Sequence, residues 1–114
     1  MDYCAGIEGY PKSELKPDYQ DGKIVALAYG YEIVKSDTIG CIQVLLEERT
    51  RELGIRHISQ CSIMNESFQV LHEEHNVPDE TFNYAGGNAD EEVIECVARA
   101  YRVSPEIIDI ELLY

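Results

Sequence analysis

The chain has 114 residues, a length that fits one domain and can bury a core without disulfides or a metal. Its 22 acidic and 9 basic residues give a formal net charge of −13, and its hydrophobic fraction of 45% is that of a globular protein. Binding to nucleic acid or to an anionic membrane requires basic groups, so the composition argues against both kinds of partner.

The first part of the chain divides at residue 22. Residues 1–22 contain Pro11, Pro17 and three glycines, which predicts an irregular lead-in packed on the body of the protein. Residues 23–114 are predicted to form a single α+β domain. Its first element, Lys23–Lys35, is rich in β-branched and aromatic residues and predicts one central strand.

A helix is predicted to follow this strand. In residues 37–54, Ile39, Ile42, Leu45, Leu46 and Leu53 recur at helical spacing. Gly54 stands where a helix commonly ends.

Residues 55–64 and 67–75 predict two strands joined by a two-residue turn at positions 65 and 66. In that register Cys61 lies opposite Val70, Ser59 opposite His72, and His57 opposite Glu74. A shift by one residue would move each side chain to the other face of the sheet.

The last part of the chain predicts a long loop, a helix and a strand. Residues 76–89 contain a proline and a Gly-Gly pair and predict the loop. The helix begins near Asp90, with acids in its first turn. Residues 104–114 alternate apolar and acidic side chains and favour a strand, with a second helix as the alternative. The order β-α-β-β-α-β predicts a ferredoxin-like fold, a four-stranded antiparallel sheet with both helices on one face.

A histidine and cysteine group suggests chemistry. His57, Cys61, His72 and His75 have side chains that zinc uses as ligands, but their spacing matches no zinc-finger or ribbon pattern. The alternative is structural, with a histidine near the sheet edge and Cys61 as a small buried hydrophobe. We expect no cofactor. Zinc, or a small metal-dependent or ligand-binding enzyme centred on His57, Cys61 and His72, is the less favoured interpretation.

The net charge is unevenly distributed along the chain. No Lys or Arg occurs between Arg56 and Arg99, so the acidic residues there have no basic neighbours in the sequence. This stretch predicts a negative surface that binds a basic partner protein, with two aromatic residues as exposed anchors. The predicted partner-binding residues are Glu73, Glu74, Asp79, Glu80, Phe82, Tyr84, Asp90, Glu91, Glu92 and Glu95. For the acids at the start of the helix, favourable interaction with the helix dipole is the competing explanation.

These patterns favour a binding protein over an enzyme. We expect a small acidic domain that inhibits or sequesters a partner whose basic surface serves nucleic acid, a composition shared with anti-CRISPR and immunity proteins. A second alternative is a dimeric structural or regulatory domain. In that case Tyr29, Tyr31 and Ile33 would form an open apolar sheet face that a second copy covers.

The compartment is predicted to be the cytoplasm. Residues 1–4 lack the basic and apolar regions of a signal peptide. The four cysteines, Cys4, Cys41, Cys61 and Cys96, form no CxxC pair, so they favour free thiols over a disulfide framework. Two disulfides also fit this spacing.

Overall fold

The computed structural model describes residues 7–48 and 53–113. Within these ranges the chain forms eight strands and one α-helix, with short 3-10 turns at Lys12–Glu14 and Pro105–Ile107. The elements in chain order are β1 (Leu15–Gln20), β2 (Lys23–Ala28), β3 (Glu32–Thr38), β4 (Cys41–Glu48), β5 (Ile55–Met64), β6 (Val70–His75), β7 (Thr81–Asn83), α1 (Asp90–Tyr101) and β8 (Ile108–Leu113).

The strands are arranged in two sheets. Strands β1, β2 and β3 form a three-stranded antiparallel sheet in chain order. The other five strands form a mixed sheet in the order β6-β5-β4-β8, in which β7 pairs with β5. Strands β6 and β7 pair with successive parts of β5, and β8 is parallel to β4.

One hydrophobic core joins the two sheets and the helix. The small sheet contributes Ile24, Ala26 and Ala28, and the large sheet contributes alternate residues of its strands. The helix contributes Val93, Val97, Ala98 and Tyr101, which recur at helical spacing and are buried. With twelve residues and three acids in its first turn, α1 is too short and too polar to cross a bilayer, and no other described helix is long enough.

The ferredoxin-like prediction is wrong. In the described ranges the protein has one helix and two sheets, because three predicted elements have a different structure. The predicted lead-in contains β1, and the predicted strand Lys23–Lys35 is a hairpin of β2 and β3. At its turn, Tyr29 and Gly30 have φ angles of 56° and 83°. Two consecutive positive φ angles match the right-handed twist of hairpin strands, but tyrosine is an unusual residue at the first position.

The predicted first helix is also wrong. Its described part contains β4, in which Ile42, Val44 and Leu46 are buried at 0% exposure and alternate with less buried residues. This period of two places three apolar side chains on the core face of the sheet. Residues 49–52 of the predicted helix lie outside the described ranges.

The later elements agree better with the sequence. The predicted helix is α1, and the favoured strand at the end of the chain is β8. Strands β5 and β6 form the predicted antiparallel pair, but the predicted register is wrong. The connection spans residues 65–69, where the Asn65 side chain accepts hydrogen bonds from the backbone N–H groups of Ser67 and Gln69. Cys61 consequently lies opposite Glu74, and Ile63 lies opposite His72.

Candidate functional site

The histidine and cysteine group is divided between the two faces of the large sheet. Strand β5 has a β-bulge, since Leu45 pairs with Gln60 but the next residue, Leu46, pairs with Ile58. The extra residue, Ser59, reverses the alternation of side chains along the strand. Ile58 therefore shares the core face with Cys61, and His57 points to the opposite face.

The remaining two histidines are also separated. His72 lies on the core face and is 8% exposed, whereas His75 is exposed and pairs with Gln60 on the outer face. In residues 7–48 and 53–113, no three His, Cys, Asp or Glu side chains converge in an arrangement that could hold a metal ion. The predicted placement of His57, Cys61 and His72 on one face of the sheet is therefore wrong.

A buried polar cluster, which we call the Glu74 cluster, lies on the core side of β6. It consists of Tyr19, Cys61, His72, Glu74 and Tyr101. The Glu74 carboxylate accepts hydrogen bonds from the hydroxyls of Tyr19, at 2.5 Å, and Tyr101, at 3.1 Å. Nε2 of His72 lies 3.3 Å from the same carboxylate. The two tyrosine rings meet edge to face, with centroids 4.7 Å apart.

The Glu74 cluster joins three parts of the fold through one carboxylate. Tyr19 comes from β1 of the small sheet, Tyr101 from the end of α1, and His72 and Glu74 from β6. The hydrogen bond from His72, followed by those from the tyrosines, holds the pKa of Glu74 below its ordinary value despite burial. Burial raises the pKa of both tyrosines, which therefore stay neutral and donate.

The polar groups of the Glu74 cluster bond to one another. The Glu74 carboxylate already accepts hydrogen bonds from its neighbours. Burial raises the pKa of the Cys61 thiol to about 12. The Cys61 thiol donates to the backbone carbonyl oxygen of Val77, at 3.3 Å. A thiol must be deprotonated to act as a nucleophile, so Cys61 is inert at neutral pH.

Thiol labelling should distinguish the described cysteines by their rates of reaction. Cys61 is fully buried, whereas Cys41 and Cys96 are partly exposed, and all three are free thiols. We expect iodoacetamide to modify Cys41 and Cys96 in the native protein and to modify Cys61 only after unfolding. Burial and the neighbouring Glu80 raise the pKa of Cys96 to about 11, so its reaction should accelerate as the pH rises. Peptide mass spectrometry would measure each rate, and fast native labelling of Cys61 would contradict the structure.

The acidic ridge is the candidate functional site. It consists of five exposed carboxylates from two segments, the loop before β7 and the first half of α1: Asp79, Glu80, Glu91, Glu92 and Glu95. The segments meet where the Cys96 thiol donates to Glu80, at 3.1 Å. Glu92 lies one helical turn before Cys96 on the same side of the helix. Of the helix acids, Glu92 therefore lies on the side of α1 that meets the loop.

The other predicted partner-binding residues lie elsewhere. Phe82 is in the core, 4% exposed, so it is not the exposed anchor that we expected. Tyr84 is half-buried and donates to Asp90, at 2.8 Å, while the Arg56 guanidinium lies 4.5 Å from its ring centroid. Glu73 is exposed on β6 and points to the opposite face of the sheet from its neighbour Glu74.

A recess of about 200 Å³ adjoins the acidic ridge. It lies between β5 and the loop that leads to β7, and its lining residues are His57, Ile58, Asn76, Pro78, Asp79 and Glu80. Two of the ridge carboxylates form part of its wall. Nδ1 of His57 is buried there without a hydrogen-bond partner among the described residues.

Sequence reasoning missed the Glu74 cluster because its members are far apart in the chain. Glu74 and Tyr19 are separated by 55 positions. The available signal was a carboxylate two residues after His72 on the same strand face, and it becomes visible once the register of β6 is known. Comparison of the sequence with family models and curated proteins, and of the fold with solved structures, finds no match.

Proposed function

We propose that this protein is a non-catalytic binding domain whose acidic ridge docks on the basic surface of a partner protein, and that it acts by inhibiting or sequestering that partner. The observation that supports the proposal is the contact between Glu80 and Cys96, which places the loop carboxylate of Glu80 against the helix that carries Glu91, Glu92 and Glu95. Carboxylates fixed on one surface create a field that attracts and orients a basic partner.

The recess beside the acidic ridge adds a contact of defined shape. Its volume of about 200 Å³ suits one side chain rather than a small-molecule substrate, since ligand pockets usually exceed 300 Å³. Asp79 and Glu80 make its wall negative. A lysine or arginine of the partner would enter the recess and be held by these carboxylates.

The position of Arg99 limits how far the negative field extends. This residue lies beside Glu80 and Cys96, near the end of α1. It also follows Glu95 by four residues, the spacing at which opposite charges attract on a helix surface. The strongest field is therefore expected towards the first turn of α1 and the loop at Asp79.

The enzyme alternative has less support. Its three proposed residues do not converge, because the bulge at Ser59 directs His57 away from Cys61 and His72. The described cysteines are also poor nucleophiles at neutral pH, as burial raises the pKa of each thiol.

A charge-reversal experiment tests the proposed function. The ridge variant carries lysine at Asp79, Glu80, Glu91 and Glu92. The control variant carries lysine at four exposed acids elsewhere: Glu8, Glu14, Glu66 and Glu106. Four reversals add eight units to the net charge of −13, so both variants carry −5. We expect partner affinity to fall by about 100-fold in the ridge variant, which corresponds to roughly 2.7 kcal/mol, and to change much less in the control.

The partner would be captured from the native cell with the wild-type protein and identified by mass spectrometry. Its affinity for the three proteins would then be measured in increasing salt. Salt should weaken the wild-type complex, because exposed charges are screened. Equal loss in both variants would show that only net charge matters, and no loss in the ridge variant would refute the role of the acidic ridge.

A further inference from the structure

Strand β8 lies at one edge of the large sheet. Strand β8 pairs with β4 on one side, over six residues and without a register shift. In the described ranges no strand pairs with its other side. This side therefore presents a row of backbone N–H and C=O groups that another strand can use.

The other sheet edges carry features that block strand addition. Strand β1 contains Pro17, which has no N–H to donate. Strand β3 has an extra residue at Val34, and β6 has one at Leu71, so both edges are bulged. Strand β7 has only three residues. Strand β8, by contrast, has six regularly paired residues without proline or bulge.

The two faces of β8 differ in chemistry. Ile108, Ile110 and Leu112 pair with the core-facing residues of β4, and the last two are partly exposed. Asp109 and Glu111 point to the outer face and are exposed. Gln43 of β4 donates to Glu111, at 2.9 Å, and so helps to orient that carboxylate.

A second copy of the chain is a poor match for the middle of this edge. Two copies of β8 paired antiparallel about a two-fold axis at Ile110 would place Asp109 opposite Glu111. Two-fold pairing about either acid would place that acid opposite itself. Like charges directly opposite each other on a sheet are destabilising. The two acids therefore disfavour the self-pairings that use most of β8, but not pairing with a basic strand.

We propose that β8 is an acceptor edge for an extended segment of the partner in which basic and apolar residues alternate. The segment adds a strand to the large sheet through main-chain hydrogen bonds. Its basic side chains meet Asp109 and Glu111 on the outer face, and its apolar side chains cover Ile110 and Leu112. This inference rests on the proposed function in one respect, since it assumes the same basic partner.

A peptide titration tests strand addition. The probe is a blocked seven-residue peptide of alternating lysine and valine, added to the full ¹⁵N-labelled protein. Two further peptides carry N-methyl groups, one on its lysines and the other on its valines. In a strand, alternate N–H groups point to opposite sides, so only one of these two sets can face β8. We expect the amide signals of residues 108–113 to shift on titration. One methylated peptide should bind with an affinity close to that of the unmethylated parent, and the other should bind at least tenfold more weakly.

Two protein variants locate the site. D109K/E111K should weaken binding of the parent peptide at least tenfold, and the ridge variant should keep it. Equal affinity of the two methylated peptides, with shifts only on the acidic ridge, would overturn strand addition and leave the proposed function standing. Absence of shifts in β8 with every peptide would also overturn it.

Discussion

We expect a Glu74→Leu variant to lose about 3 kcal/mol of unfolding free energy in urea denaturation, a large part of the stability of a small domain. The change removes the acceptor shared by Tyr19, His72 and Tyr101. Each buried donor left without an acceptor costs about 1–3 kcal/mol, and the added hydrophobic area recovers part of this. The effect should be large because the carboxylate joins both sheets to the helix.

The exposed neighbour Glu73 provides the matched control. It lies on the same strand, and a Glu73→Leu variant changes the same atoms on the outer face. We expect a change of at most about 0.5 kcal/mol for that variant. Equal stability of the two variants would show that the Glu74 cluster contributes little.

The stabilisation by Glu74 should also depend on pH. Because the folded protein holds the pKa of Glu74 below its ordinary value of 4.5, ionisation of this carboxyl favours the folded state. The contribution is complete above the unfolded pKa and disappears as the pH falls through the lowered folded pKa. We therefore expect the stability difference between wild type and Glu74→Gln to be constant near neutral pH and to shrink below about pH 4.5. A difference that grows on acidification would contradict this assignment.

We expect the second large effect from Gly40→Ala, which should cost about 2–4 kcal/mol of stability. Gly40 connects β3 to β4, and its N–H donates to the carbonyl oxygen of Met64 at 2.8 Å. An added Cβ would lie 2.6 Å from Cα and N of Glu66 and 2.8 Å from the carbonyl carbon of Asn65. These are backbone atoms, so the β5–β6 connection would have to move.

A second glycine provides the control for Gly40. A Cβ at Gly86 would meet no atom within 4 Å among its described neighbours. Gly86→Ala should therefore change stability by no more than about 0.5 kcal/mol. Thermal unfolding followed by circular dichroism would compare the two variants with wild type. Similar melting temperatures for both would refute the close approach at Gly40.

The sequence predicted elements well where one hydrophobic period was dominant. Helix α1 has a clear helical pattern and was found, and the strand favoured over a helix for the end of the chain is β8. Strand β4 was missed because Leu45, on its outer face, adds a fourth apolar residue to the buried Ile42, Val44 and Leu46. That group fits a helical period as well as a strand period, and only pairing with β5 and β8 decides between them.

For the candidate site as well, the sequence predicted what depends on neighbouring positions and missed what depends on strand pairing. Close positions in the chain brought Glu91, Glu92 and Glu95 together, so the helical part of the acidic ridge followed from the sequence. The predicted placement of the histidines and Cys61 on one sheet face was wrong, because that placement depended on single extra residues in the strands. Ser59 and Leu71 each shift a register by one, and no residue type at these positions signals a bulge. The Glu74 cluster depended on the packing of two sheets, which a local pattern does not contain.

The parallel pairing of β4 with β8 has a consequence for synthesis on the ribosome. Ile42 pairs with Ile108, sixty-six positions later, whereas β4 and β5 form an antiparallel hairpin as soon as both have been made. Until residues 108–113 emerge, the far side of β4 has no strand beside it, and Ile42, Val44 and Leu46 lack part of their cover. Pairings between distant segments form slowly, and unpaired strand edges promote aggregation of nascent chains. The growing polypeptide therefore carries an unpaired edge of β4 until β8 has been made.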